Sequence, residues 1–218
     1  MIDNGELYTK IMDKLKFEPS LNEKNITVSV KENGIVVLGG KVESYTEKYI
    51  AEEAVKKIEN VRAIANELEV ELAMAYKRSD VDIAQDAVNA LQYSIFVPSE
   101  RIKVIVEHGH LILSGKVSHY FHKERAEKAV QDIVGIKDIA NNIEVTPDIK
   151  PFEVKEKIIK EFERNARIDA NNIEVEVDGS EVILRGKVRN FDEEKEARRA
   201  AWYVPGVSKV TDLLTIGV

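Results

Sequence analysis

The sequence predicts an α+β chain of three tandem αββαβ domains, each a three-stranded sheet with two helices on one face. Three observations carry this. A block opening Gly-Lys-Val begins at Gly40, Gly115 and Gly186, steps of 75 and 71 residues, which suits a small self-contained domain better than a solenoid unit. Within each block, apolar residues pass from helical spacing to alternation and back in the same order. An Asn-Gly, His-Gly or Asp-Gly pair separates two short apolar runs in every copy. The implied domains are residues 1–73, 77–147 and 150–218. What the copies share reads as fold, and what one copy alone carries is a candidate for function.

The first helix of each copy is read from Leu7, Ile11 and Leu15, from Val81, Ala84, Val88 and Leu91, and from Val154, Ile158 and Phe162, at three- and four-residue steps. Pro19 closes the first of these segments and Pro98 the second, because a residue before proline avoids the helical region. Strands beginning at Ile26, Ile102 and Ile173 alternate apolar with polar or small residues. Asn33-Gly34, His108-Gly109 and Asp178-Gly179 then favour the positive backbone angles of tight hairpins. A second helix starts near Ser44, His119 and Asn190, with Ser44/Glu47 and Asn190/Glu193 at capping-box spacing. Its buried stripe is rich in alanine, and Asn60, Gly135 and Gly206 follow as helix terminators. A third strand closes each unit through Leu68 and Val70, Ile143 and Val145, and Leu214 and Ile216. The linkers, residues 71–80 and 146–151, are short, and two prolines stiffen the second.

Composition narrows the function classes. Of the 218 residues, 44% are hydrophobic and 33% charged, as in a globular chain. There is no cysteine, which excludes disulfides, thiol nucleophiles and cysteine metal sites. The net charge of −7 argues against general nucleic-acid binding, which depends on neutralising phosphates. The last third is nearest to charge balance and carries most of the arginines. No apolar run reaches membrane-spanning length, and the first residues lack the pattern of a signal peptide. The sequence as it stands reads as cytoplasmic, or as periplasmic if a leader was trimmed. No glycine-rich phosphate loop, nucleophile elbow or histidine–glutamate metal helix is present, so no catalytic residue is assigned and no cofactor is implied.

A Gly-x-Val strand end, an alanine-rich helix and a close such as GIKDIANNIEV at Gly135 resemble the BON domain (bacterial osmotically inducible and nodulation domain). NVRAIANELEV at Asn60 lacks only the glycine, and GVSKVTDLLTI at Gly206 has Asp212 where asparagine is usual. The resemblance covers nearly the whole chain. It implies a bacterial, non-enzymatic protein of envelope or osmotic-stress physiology, in a family proposed to bind phospholipid and without shared catalytic residues. A cytoplasmic relative associated with potassium sensing makes a potassium-responsive binding module the alternative. A purely structural or oligomerising protein is the third reading.

Copy three differs most on the outer side of its second helix, where Arg198, Arg199, Trp202 and Tyr203 replace charged and polar residues. Four-residue spacing pairs Arg198 with Trp202 and Arg199 with Tyr203. Arginine with aromatic rings suits a phospholipid headgroup region or a protein client, and packing against a neighbouring domain or subunit is the plainer alternative. Four nearby acids, Asp192, Glu193, Glu194 and Glu196, dilute the local positive field. Val37, Ile105, Ile112 and Ile183 fall on the outward sheet faces, where they are expected to pack domain on domain. Edge strands offer backbone pairing as a second route of association. All four histidines, His108, His110, His119 and His122, lie in copy two. The strand between the turn pair and the helix pair separates them by roughly 20 Å, so no metal site is assigned.

Overall fold

The computed structural model describes residues 3–147 and 153–217. Its elements follow the repeat: α1 (Asn4–Phe17), β1 (Ile26–Lys31), β2 (Ile35–Val42), α2 (Tyr45–Lys56) and β3 (Ala63–Val70); α3 (Asp80–Tyr93), β4 (Ile102–Glu107), β5 (His110–Val117), α4 (Tyr120–Val130) and β6 (Asp138–Val145); α5 (Val154–Arg164), β7 (Ile173–Asp178), β8 (Glu181–Val188), α6 (Phe191–Tyr203) and β9 (Lys209–Ile216). Three separate three-stranded sheets result, ordered β1-β2-β3, β4-β5-β6 and β7-β8-β9. The hairpin pairs are antiparallel, and β5–β6 and β8–β9 are parallel, as a helical crossover between neighbouring strands requires. Of the two linkers, residues 71–80 hold a short 3₁₀ turn at Met74–Tyr76, while the second, residues 146–151, lies outside the described residues from 148 onward.

Each core is a layer of two helices on one sheet face. In the third repeat, Val154, Ile158 and Phe162 of α5 and Ala197, Ala200 and Ala201 of α6 cover Val175, Val182, Leu184 and Val188. The second repeat does the same with Ile83, Ala87 and Leu91, Ala126 and Val130, over Leu111, Leu113 and Val117. This corrects the stripe expected in α3. Val81 is 78% exposed and Val88 points outward, while Ile83, Ala87 and Leu91 are buried. Apolar residues occupy two sides of α3, so spacing alone admits two stripes. Only the buried one matches the four-residue steps of Leu7–Ile11–Leu15 and Val154–Ile158–Phe162.

Two boundaries also move. The third hairpin turns at Gly179-Ser180, because Asp178 still pairs with Glu181 inside the sheet. Helix α3 stops at Tyr93, well before Pro98: the Ser94 N–H reaches back to the Leu91 carbonyl and Val97 N–H to Ser94. The chain from Ser94 to Val97 is a turn, with consequences described below.

The Gly-Lys-Val glycine has a steric reason. Gly40, Gly115 and Gly186 pair across the hairpin with Ile26, Ile102 and Ile173 and hold φ of 108°, 138° and 129°. A Cβ at any of them would press into the carbonyl oxygen of Asn25, Arg101 or Asn172. Both the dihedral and the space therefore demand glycine.

By contact, the chain divides into two compact units. One combines the third repeat with the first repeat up to Gly40 and with Tyr49–Leu68; the other adds Lys41–Lys48 to the second repeat. Inside the first unit, α6 meets α2: Lys195 Nζ lies 2.6 Å from Glu53 Oε2, and Asn190 Nδ2 donates to the Lys57 carbonyl at 3.1 Å. Inside the second, Thr46 Oγ1 lies 3.2 Å from Asp132 Oδ1, and Tyr45 packs on the second repeat's core. These contacts between repeats run through the second helices.

Replacing Gly115 with alanine is expected to cost about 2 kcal/mol or more. Gly179, whose added Cβ would meet nothing within 4 Å, should cost only about 1 kcal/mol on the same change. Urea unfolding of the two variants measures the difference.

Candidate functional site

The outer side of α6 is the first candidate, and it splits in two. The Arg199 guanidinium lies 4.9 Å above the Tyr203 ring, and its Nη2 donates to Tyr203 Oη at 2.9 Å. Tyr203 is 41% exposed. Both residues line a cleft of about 390 Å³ between α5 and α6, together with Lys157, Arg164, Glu161 and Glu196. Arg198 and Trp202 go elsewhere. Trp202 is half-buried and packs against the third-repeat core. Arg198 Nη1 stands 3.7 Å from Glu194 and 3.9 Å from Asp212. Its charge is directed at carboxylates of its own repeat rather than outward.

The four acids beside them do not form one solvated field. Glu193 is only 2% exposed. Its carboxylate accepts from the Asp169 N–H at 2.6 Å, the Arg189 N–H at 2.8 Å and Arg189 Nε at 2.8 Å. Burial opposes its charge, but the Arg189 guanidinium and the two backbone donors outweigh burial and hold the carboxyl below the usual range. Asn190 Oδ1 caps α6 by accepting from Glu193 N. The capping glutamate reaches one residue further back than a simple capping box, to the N–H before the cap, and Glu47 does the same with Glu43 N at 3.1 Å.

The second repeat presents a feature that sequence reading passed over. Tyr93, the last residue of α3, is 86% exposed, and Ile95 and Phe96, in the turn that follows, are 92% and 55% exposed. Phe96 meets Phe121 edge-on with centroids 5.4 Å apart. The Arg125 guanidinium covers both rings, at 5.7 and 5.1 Å. The ring series continues from Phe121 to His122 at 6.0 Å and to His119 at 5.3 Å. His122 is held below its ordinary value by burial, then by the charges of His119 and Arg101. The signal was available in the repeat. Residues 93–96 read Tyr-Ser-Ile-Phe, where the equivalent stretches read Phe-Glu-Pro-Ser and Arg-Asn-Ala-Arg.

The histidines stay apart as two pairs. His110 lies 3.9 Å from Asp138 on the strand side, while His119 and His122 neighbour each other at the helix. Among the described residues no three potential metal ligands cluster.

On the outward sheet faces, Val37, Ile112 and Ile183 are half-buried and Ile105 is half-exposed. Ile105 pairs with Ile112, whereas Val37 faces Ser29 and Ile183 faces Glu176. The repeat-to-repeat contacts described above lie on the helices rather than on these residues.

The sequence pattern of the BON domain matches residues 3–71, 79–147 and 152–218, one match per repeat: BON1, BON2 and BON3 in chain order. The chain belongs to the BON domain family. Osmotically inducible protein Y of Escherichia coli (strain K12) is 28% identical over 146 residues, which is 65% of this chain and 72% of that protein. Among solved structures, CdsD, a structural protein of the type III secretion system of Chlamydia trachomatis, aligns over 96% of this chain and 91% of its own at 14% identity, with a TM-score of 0.26. The periplasmic domain of PrgH aligns over 89% and 96% at 6% identity, with a TM-score of 0.22. Likenesses of that size carry no argument about this chain. Among the described residues no helix is long and apolar enough to cross a membrane.

Glu193 supplies a test of the BON3 framework. A lowered folded-state value means its stabilisation is present above the unfolded value of 4.5 and is lost as pH falls through the folded one. Glu193→Gln is expected to cost about 2 kcal/mol at neutral pH, and the gap to wild type should narrow on acidification. Urea unfolding across the acidic range reads both.

Proposed function

We propose that this BON protein is a non-enzymatic binding protein of envelope or osmotic-stress physiology that docks on phospholipid surfaces, and that the docking element is the second-repeat segment Tyr93–Phe96, the end of α3 and the turn after it. The family and the name of its Escherichia coli relative support the physiological class. The exposure of Tyr93, Ile95 and Phe96 within one short segment carries the surface.

The chemistry favours a bilayer interface. A fully exposed isoleucine at a turn tip gains roughly 1.5–3 kcal/mol on entering an apolar phase. Tyrosine and phenylalanine beside it suit the boundary between headgroup and acyl chain. Arg125, stacked on the phenylalanine rings, keeps its charge on the same side, where a lipid phosphate can pair with it. The chain's net charge of −7 repels an anionic surface as a whole. Attraction must therefore be local and largely apolar, and at physiological salt repulsion from charges more than about 8 Å away is largely screened. Arg199 and Tyr203 of BON3 form a secondary polar contact in this reading, whereas Arg198 and Trp202 serve their own repeat.

Co-sedimentation of the full chain with phosphatidylcholine vesicles, with and without phosphatidylglycerol, tests this. Wild type is expected to bind, Ile95→Ser to bind roughly tenfold more weakly or worse, and Arg198→Ala to bind as wild type. Absence of binding, or equal binding by Ile95→Ser, would remove the proposal.

A further inference from the structure

The three repeats solve one local problem twice in the same way and once in the opposite way. In BON1, Asn66 Nδ2 on β3 donates to Glu52 on α2 at 2.7 Å. In BON2, Asn141 Nδ2 on β6 donates to Glu127 on α4 at 2.9 Å and to the Lys123 carbonyl at 3.0 Å. The same asparagines accept from the N–H two residues on, Leu68 and Ile143. The amide thus ties the closing strand to the second helix and fixes its own strand.

BON3 has Asp212 in place of the asparagine, Arg198 in place of the glutamate, and Glu194 where BON1 and BON2 carry Lys48 and Lys123. Asp212 Oδ1 still accepts from Leu214 N at 3.0 Å. Its other oxygen, Oδ2, stands where the amide donated. That atom is buried and has no hydrogen-bond partner among the described residues. Arg198 Nη1, at 3.9 Å, neutralises the charge without supplying a hydrogen bond. Glu194 Oε1 stands 3.7 Å from the same Arg198 Nη1, so one guanidinium nitrogen gathers both carboxylates, yet two carboxylates cannot donate to each other.

We propose that Glu194 and Asp212 are a proton-operated clasp between α6 and β9, in which a proton on Glu194 donates to Asp212 Oδ2 and restores the tie that asparagine makes in the other repeats. The proton comes from solvent, no other bond changes, and loss of the proton leaves two carboxylates facing each other across Arg198. Four groups set the balance: Glu194 and Arg198 on α6, Asp212 on β9 and Lys56 on α2. Burial first and the Asp212 charge second push the Glu194 carboxyl up, while Arg198 and Lys56 oppose them and lose. Lys56 is already engaged by Glu52 at 2.7 Å and Glu53 at 3.2 Å, which limits its compensation. An acid whose folded value is raised contributes stability below its unfolded value of 4.5, lost as pH rises through the folded one. The clasp therefore closes on mild acidification, above the range in which Glu193 lets go.

Two readouts on the full chain test this. In a carbon-13 titration of side-chain carboxyls, Glu194 is expected to titrate above 4.5 in wild type and to return towards that value in Asp212→Asn. Asp212→Asn, with a permanent donor, is expected to raise Tm by a few degrees near neutral pH, and the gain should shrink on acidification as the native proton arrives. Glu194→Gln also carries a permanent donor and keeps the comparison open if Asp212→Asn does not fold. Glu194 titrating at or below the ordinary value, or a Tm change independent of pH, would overturn the clasp. A Tm rise with calcium or magnesium that disappears in Asp212→Asn would identify a cation site instead and also overturn it.

Discussion

The close approach of the second helix to its sheet is the interaction on which each BON unit depends. Ala126 in BON2, and Ala197, Ala200 and Ala201 in BON3, put almost no side chain between helix and strands, which lets the backbones approach. The strands must also meet without obstruction at the hairpin's far end, and the Gly-Lys-Val glycine permits that. A module of about 70 residues has little apolar surface to spare, so these positions tolerate little change. The outer sides of the helices and the turns between elements are left to vary, and there the three copies diverge.

Variation on the helices has been used for packing. The outer side of α2 is shared between partners in both contact units, through Glu53 and Lys57 in one and Thr46 in the other. Glu53 stays charged there despite burial because Lys195, and then Lys56, hold it. Charged residues on the outer side of α2 are thus partly interface. Glu193 reads as one acid among four and in fact anchors two backbone amides and an arginine in the interior.

Much of the fold was legible because its cues are local. Spacing, hairpin pairs and helix caps each act over a few residues, and triple repetition averages out ambiguity. The reading failed where two local answers were equally good. In α3, Val81 and Val88 offered a second apolar stripe, and before Pro98 the chain left its helix early. That early exit opens the turn that carries Ile95 and Phe96, which no periodicity announces. The α6 residues were legible as unusual but not as partners. Arg198 answers Asp212 and Glu194, which are distant or differently placed in sequence and meet only when β9 lies beside α6. Comparing whole repeats, position by position, exposes both features: the turn's backbone hydrogen bonds recur in all three copies but Ile95 and Phe96 do not, and Asp212 breaks an amide tie that the other two copies keep.

The proposed lipid contact rests on a single-copy departure from a shared frame, the apolar side chains of the BON2 turn. The most direct measurement is residue-resolved paramagnetic broadening of the chain's amide signals by a nitroxide-labelled lipid in bicelles. The strongest broadening is expected at Ile95 and Phe96, weaker broadening near Arg125, and none at Trp202. Broadening centred on α6, or spread evenly over the three repeats, would contradict it.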